Sequence, residues 1–388
     1  MQEGRSTHAR QCGRAELEGL MDEVFGGEIH AQRLASLTDG VDGVLHAASL
    51  GVRAIGQGLA VAQGLAPRHA IKQVDRLLSN PKLSMAQVFG CWVPFVVGER
   101  REVFVNFDWT EFEDADQSTL VLGMHTAQGR STPLVWKTVT CSALKDQRNN
   151  HEDDLLVELA AVLPPRVRVT VVADRGFADS KLYRFLTEEV GFDYIIRFRA
   201  NMYVEDVAGE QRKAKAWLGP AGRMRVLRHA RITAQRHRVP VVVCVQDKAM
   251  KEPWCLVSSR HDLTGVAIKV AYGRRFTVEE TFRDVKNPRL GLGLKQTIIA
   301  RNDRRDALFL LAVLAHTLLT VLGKAGQALG MDRMLGATRP GQLSLFRQGL
   351  MLFELMPTMR ADRLRALVQK FGALLQEHVL FTGILGVI

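Results

Sequence analysis

Among 388 residues there is no C-x-x-C pair, and no pair of histidines stands near a cysteine at zinc-ligand spacing. The five cysteines, Cys12, Cys91, Cys141, Cys244 and Cys255, are odd in number and widely scattered. A disulfide framework is not expected, and a reducing cytoplasm fits this usage. The first twenty residues, MQEGRSTHARQCGRAELEGL, lack the apolar segment that a signal peptide needs. Internal repeats and low-complexity segments are absent too. Only one apolar run, Ala307 to Gly323, approaches the length of a membrane span, and it carries His316, Thr317 and Thr320. It reads as a buried core helix, with a helical membrane-associated protein as the rival.

What is present describes an ordinary folded chain. Hydrophobic residues make up 47% and charged residues 24%, and the length allows two or three domains with at least one sizeable core. The formal net charge of +11 favours a polyanionic partner, because each phosphate neutralised by Lys or Arg releases condensed counterions. Charge alone does not identify that partner.

Patterning divides the chain into five stretches. Residues 1–100 are predicted helical: DGVLHAASLGVRAIGQGLAVAQG has small and apolar residues at helical spacing. RHAIKQVDRLLSN follows as an amphipathic helix with Ile71, Val74, Leu77 and Leu78 on its apolar stripe. Arg68, Lys72 and Arg76 lie off that stripe, as a solvated face or as a basic row on DNA. Residues 101–200 show three strands, then alternating helices and strands, the pattern of a mixed sheet flanked by helices. Residues 201–260 read as all-β, with strands in MRVLRHARITAQ, VPVVVCVQD and PWCLVSS. Helix resumes over 261–330, and 331–388 is helical and amphipathic.

Two aspartates stand at predicted strand ends, Asp108 in VNFDWT and Asp174 in VVADRGF. Strand ends of such sheets gather ligands and catalytic groups, but a carboxylate there is equally an N-cap or a turn residue. A third carboxylate lies in YGRRFTVEETFRDVK, residues 272–286. At about 100° per residue on one continuous helix, Tyr272, Arg275, Glu279 and Lys286 fall within an arc of about 60°. Val278, Phe282 and Val285 form an adjacent apolar stripe, whereas Arg274, Glu280 and Asp284 read as surface. Periodicity alone favours a surface salt-bridge ladder there, worth a few tenths of a kcal/mol per pair. His125 and His151 read as structural or exposed rather than as site residues.

The spacing Y-x2-R-x3-E-x6-K, here Tyr272, Arg275, Glu279 and Lys286, resembles the signature of a bacterial insertion-sequence branch of the DDE transposases. Asp108 and Asp174 occur where that family has its first and second catalytic aspartates, and the β-rich stretch before Glu279 resembles an insertion that many members carry. The resemblance extends over nearly the whole chain. It implies an α/β fold: a ribonuclease H-like mixed sheet flanked by helices, interrupted by an all-β insertion, with helical N- and C-terminal parts.

The activity it implies is phosphoryl transfer on DNA: cleavage at the element's ends, then attack of the freed 3′-hydroxyl on target DNA. Two Mg²⁺ ions, or Mn²⁺ in their place, would be bridged by Asp108 and each completed by Asp174 or Glu279. Tyr272, Arg275 and Lys286 would hold DNA phosphates, with Arg283 and Arg175 as further contacts. Arg275, one turn before Glu279, would also steady that carboxylate. Trp254 stands where some members stack a flipped base, although packing within the insertion explains it equally well. The N-terminal helices would recognise terminal inverted repeats of the DNA, and a homodimer would form in the synaptic complex in the bacterial cytoplasm. Phe353, Leu355, Leu364 and Leu367 are candidates for self-association or for burial in their own tail. A catalytically silent DNA-binding derivative and a metal-dependent nuclease without strand joining are the other readings.

Overall fold

The computed structural model describes residues 2–233, 236–339 and 341–376, with side chains from residue 13 onward. Five helices open the chain: α1 (Gln2–Phe25), α2 (Ala31–Ala47), α3 (Val52–Gln63), α4 (Pro67–Leu78) and α5 (Met85–Val97). The stretch expected as one helical run is two, because Ala48 enters the left-handed region at φ 47° and Gly51 caps the next helix. The α2–α3 bend is 96°. Gly43 and Gly58 permit the close crossing, since a Cβ on Gly58 would lie 2.4 Å from the Gly43 carbonyl oxygen. On α4 the buried residues are Ala70, Val74, Leu77 and Leu78, while Arg68, Lys72 and Arg76 are exposed in a row one turn apart.

The sheet begins with β1 (Glu102–Phe112), β2 (Gln117–His125) and β3 (Ser131–Thr140), an antiparallel meander in which β2 is buried along its whole length. Helix α6 (Arg148–Val162) returns the chain to β4 (Arg168–Ala173), which lies parallel to β1 on its other side. Helix α7 (Ser180–Arg184), extended by a π-turn over Phe185–Val190, leads to β5 (Asp193–Phe198), parallel to β4. The β-rich stretch then contributes β6 (Tyr203–Glu205), β7 (Gln211–Lys213), β8 (Arg225–Ile232), β9 (His237–Val245) and β10 (Trp254–Ser258). These do not form a separate body. β10 pairs with β5, so all ten strands make one sheet in the order β3-β2-β1-β4-β5-β10-β9-β8-β6-β7.

One face of the sheet is covered by α6 and α7, through Lys137–Asp154, Trp109–Glu152 and the stacked Tyr183–Tyr194 pair. The other carries α8 (Gly265–Gly273), α9 (Thr277–Lys286) and α10 (Asn302–Ala328). α10 contains the apolar run of the sequence, and it is a core helix: 94% of its most apolar 18-residue window is buried inside the protein. It packs on β3, α2, α11 (Leu345–Leu355) and α12 (Ala361–Gln376). Within the C-terminal helices, Leu367 is fully buried, Leu364 and Phe353 pack partly on the core, and Leu355 remains exposed. The expectation of helix beyond residue 376 lies outside the described residues.

Helices α10 and α11 touch backbone to backbone. A Cβ on Gly349 would sit 1.7 Å from the Leu319 carbonyl oxygen, and one on Gly323 would sit 1.9 Å from that of Leu345. Gly349→Ala is expected to force the pair apart and cost roughly 2–3 kcal/mol, as overpacking of a filled interior does. Gly90→Ala, facing open space on α5, is the control and is expected to gain up to about 1 kcal/mol from helix propensity. Urea denaturation of both variants checks this, and equal midpoints would contradict it.

Candidate active site

Strand register creates the site. The parallel β1–β4 pairing ends at Phe107 and Ala173, so Asp108 and Asp174 are the next residues on neighbouring strands. Asp108 was expected at a strand end; β1 in fact runs on to Phe112, paired only with β2. β4 ends there while β1 continues, so the two aspartates stand side by side where the β1–β4 ladder stops, and the space beyond it is the candidate cleft. Asp174 is also an N-cap, its Oδ1 accepting from the Gly176 amide at 2.7 Å, so the cap and the cleft position are not exclusive.

The segment over residues 272–286 is not one continuous helix. A 3₁₀ turn, Arg274–Phe276, separates α8 from α9. Tyr272 therefore ends α8 and is buried against Trp254, ring centroids 4.9 Å apart, instead of sharing an open face with Glu279. Burial raises the Tyr272 hydroxyl's pKa despite the nearby cations Arg275 and Arg197. The turn aims Arg275 inward. Its Nη1 reaches Asp108 Oδ2 at 3.2 Å and its Nη2 reaches Glu279 Oε1 at 2.8 Å, joining strand to helix. Arg275 is buried, whereas the Glu279 side chain is 53% exposed at the mouth of the cleft.

Arg275 thus bridges two of the three carboxylates, and Asp174 acts on it through its charge alone. Burial pushes the Asp108 carboxyl up to about 6; Arg275 opposes this, and the charges of Asp174 and Glu279 add to it. Among the described residues no three His, Cys, Asp or Glu side chains lie close enough to hold a metal ion, and Arg275 fills the space between Asp108 and Glu279.

A polar row descends the same face of β1. Lys286 Nζ donates to Thr110 Oγ1 at 3.0 Å and to the Glu111 carbonyl at 2.8 Å, tying the end of α9 to the strand. Asn106 donates to Thr277 Oγ1 at 3.3 Å and pairs with the buried His125, whose pKa burial and Arg274 push down to about 3. His125 is structural in this setting, as expected. His151 is half-buried on α6, away from this row.

Asp284 corrects the sequence reading, which placed it on the surface. It is buried, accepting from Arg130 Nε at 2.6 Å and facing His316 Nε2 at 3.4 Å. Burial opposes its ionisation, but His316 and Arg130 outweigh burial and hold its pKa below the usual value. Arg274 is also half-buried, with Nη1 enclosed and unpartnered. Asp284 pins α9, and so Glu279, to the β2–β3 turn and to α10. Thr277, Thr281 and Asp284 are spaced three to four apart, a polar stripe that periodicity could have revealed.

Other candidates lie around the cleft. Trp254, first residue of β10, packs on Tyr272 and lies 6.1 Å from the Phe276 ring. Arg175 is exposed and pairs with Glu252 at 3.3 Å. Arg283 is exposed and pairs with Glu280. The α4 row of Arg68, Lys72 and Arg76 belongs to the helical part and not to this cleft.

The raised Asp108 pKa has a stability consequence. Between its ordinary 3.8 and about 6 the folded chain holds a proton that the unfolded chain has lost, so this group destabilises the fold as pH rises through that window. Asp108→Asn, which imitates the protonated form, is expected to melt near wild type at pH 4 and higher at pH 7 in EDTA. The gain is at most about 3 kcal/mol. Thermal unfolding at the two pH values reads it, and a difference that does not change with pH would contradict the crowded-carboxylate site.

No curated protein matches the chain. Residues 132–318 match the family model described as a transposase DDE domain, a stretch that contains Asp174 and Glu279 and begins after Asp108. Fold and match together are consistent with a ribonuclease H-like DDE core, and the match supports a DDE transposase family for this protein.

Proposed function

We propose that this protein is a DNA transposase of the insertion-sequence branch with the Tyr-Arg-Glu-Lys signature. In this reading it binds the terminal inverted repeats of its element, cleaves DNA at the ends and joins the 3′-hydroxyls to target DNA. The observation that carries the reading is the Arg275 bridge between Asp108 and Glu279, with Asp174 level with Asp108 on the neighbouring strand, within a chain whose residues 132–318 match the transposase DDE domain.

The donor set suits a hard divalent cation. Asp108, Asp174 and Glu279 offer only carboxylate oxygens, with no thiolate or imidazole, as Mg²⁺ prefers and Mn²⁺ accepts. Burial, with the charges of Asp174 and Glu279 adding to it, holds the Asp108 carboxyl at about 6, and a cation there would oppose both. Two ions bound there would supply activation of the attacking oxygen and stabilisation of the leaving one.

The chain's own residues do the rest. Arg275 neutralises Asp108 and Glu279 while DNA is absent, and its planar fork is the group that would meet a DNA phosphate at this place. Lys286, held on Thr110, keeps α9 in register with β1 and offers its charge to the same backbone. Tyr272 supports Trp254, which provides a stacking face beside the cleft. Arg175 and Arg283 exchange their present carboxylate partners for phosphates.

Residues 1–100, with Arg68, Lys72 and Arg76 on α4, recognise the element's ends. Residues 101–200 and 261–330 form the catalytic core, 201–260 its insertion, and 331–388 assist pairing in a homodimeric synaptic complex in the cytoplasm.

A second reading, a catalytically silent DNA-binding derivative, draws support from the Arg275 bridge, which occupies two of the three carboxylates. Linear DNA carrying the element's ends, with Mg²⁺, separates the readings on gels. Wild type is expected to cut and join, and Glu279→Gln to bind the ends with at least a hundredfold less cleavage. If wild type binds and cuts nothing in Mg²⁺ or Mn²⁺, the silent binder is correct. Cutting without joining would identify a nuclease.

A further inference from the structure

Residues 201–260 contain twelve Lys or Arg against five Asp or Glu, so +7 of the chain's net +11 sits in this β-rich stretch. Much of it gathers on the β8–β9 hairpin, where Arg225, Arg228, His229, Arg236 and Arg238 are exposed and Arg231 is half-buried.

The backbone brings three of these charges, Arg228, Arg231 and Arg238, to one face. His229 is in the left-handed region at φ 51°, opposite Pro240, and the in–out alternation of both strands shifts there. Val226 and Val241 pack on the α8 side, whereas Leu227, Ala230, Ile232 and Val239 pack on the other. Arg228 and Arg231, three residues apart, consequently project to the α8 side together, as does Arg238. Arg231 and Arg238 are directly opposite in the ladder, a like-charge pairing that costs stability unless an anion answers it.

The protein's own answer is partial. Glu205 on β6 accepts from Arg231 at 2.7 Å and from Arg236 at 2.5 Å. Arg225, Arg228 and Arg238 have no ion-pair partner among the described residues; Arg228 donates only to the His261 carbonyl, at 2.8 Å. Beside them is a shallow depression of about 400 Å³ lined by Asp206, Val207, His229, Arg231, Arg238, Val239 and Pro240.

We propose that this hairpin is a second DNA-backbone contact, separate from the catalytic carboxylates, seating duplex phosphates across Arg228, Arg231 and Arg238. The sheet sets the spacing. Asp174 is level with Arg197, and through Leu256 with Val243, so Arg238 lies five residues along and three strands across on the same face. At ordinary strand dimensions that is roughly 22 Å, about six or seven base pairs of duplex at 3.4 Å each. One duplex lying on this face would reach both places, with α8 between them.

The inference rests on the chain's reading as a DNA-processing enzyme, and its test does not depend on cleavage. Full-length protein is titrated with a fluorescent duplex of about 40 base pairs over a salt series, comparing wild type with Arg228→Gln/Arg238→Gln. The slope of log affinity against log salt is expected to become shallower by about 2, as loss of two phosphate contacts requires. Arg228→Lys/Arg238→Lys is expected to restore it. An unchanged slope at an unchanged melting temperature would overturn the proposal, as would tighter binding of single-stranded RNA of equal length. Should the Gln pair lower the melting temperature, Arg238→Gln alone carries the same test, with a slope expected to become shallower by about 1. Failure of wild type itself to bind duplex would instead remove the DNA-processing reading.

Discussion

Everything at the candidate site depends on how three like charges are kept together. Asp108 and Asp174 are fixed by the register of two parallel strands, and Glu279 by a helix docked across them. Their like charges oppose one another, and those of Asp174 and Glu279 add to the rise in the Asp108 pKa. Arg275 supplies the compensation from within the same helical segment, bridging Asp108 and Glu279. A guanidinium suits this place because its planar fork reaches two carboxylates at once and stays charged when buried.

The segments around that bridge are tied down at both ends of the helix. The 3₁₀ turn before α9 sets Arg275's direction, Lys286 and Asp284 hold the helix at its far end, and His316 on the core helix backs Asp284. Asp284 has protein partners on two sides, whereas Glu279 stands at the cleft mouth with Arg275 as its one ion-pair partner among the described residues. The helix is thus satisfied where it is anchored and under-compensated where cation and DNA would enter in the proposed reaction.

Local patterning revealed the strands and most helices, because alternation and the 3.6-residue period survive in short windows. It also pointed to Asp108, Asp174 and Glu279, through a spacing resemblance more than through periodicity. What it missed was long-range or conformational. Ala48 breaks a helix by adopting a left-handed φ that its residue type does not advertise. Asp284 looked solvated because its partners are 154 and 32 residues away. Tyr272 seemed to share Glu279's face only while residues 272–286 were treated as one continuous helix. The joining of β10 to β5, which turns an apparent insertion into the continuation of the sheet, leaves no local mark.

The central claim is that the three carboxylates are under-compensated and take up a divalent cation at Arg275's expense. Electron paramagnetic resonance of Mn²⁺ titrated into DNA-free protein at pH 7.5 tests it most directly, with Asp108→Asn beside wild type. The account predicts saturable uptake by wild type that is lost in the variant. Equal uptake by the two proteins, or none by wild type, would contradict it.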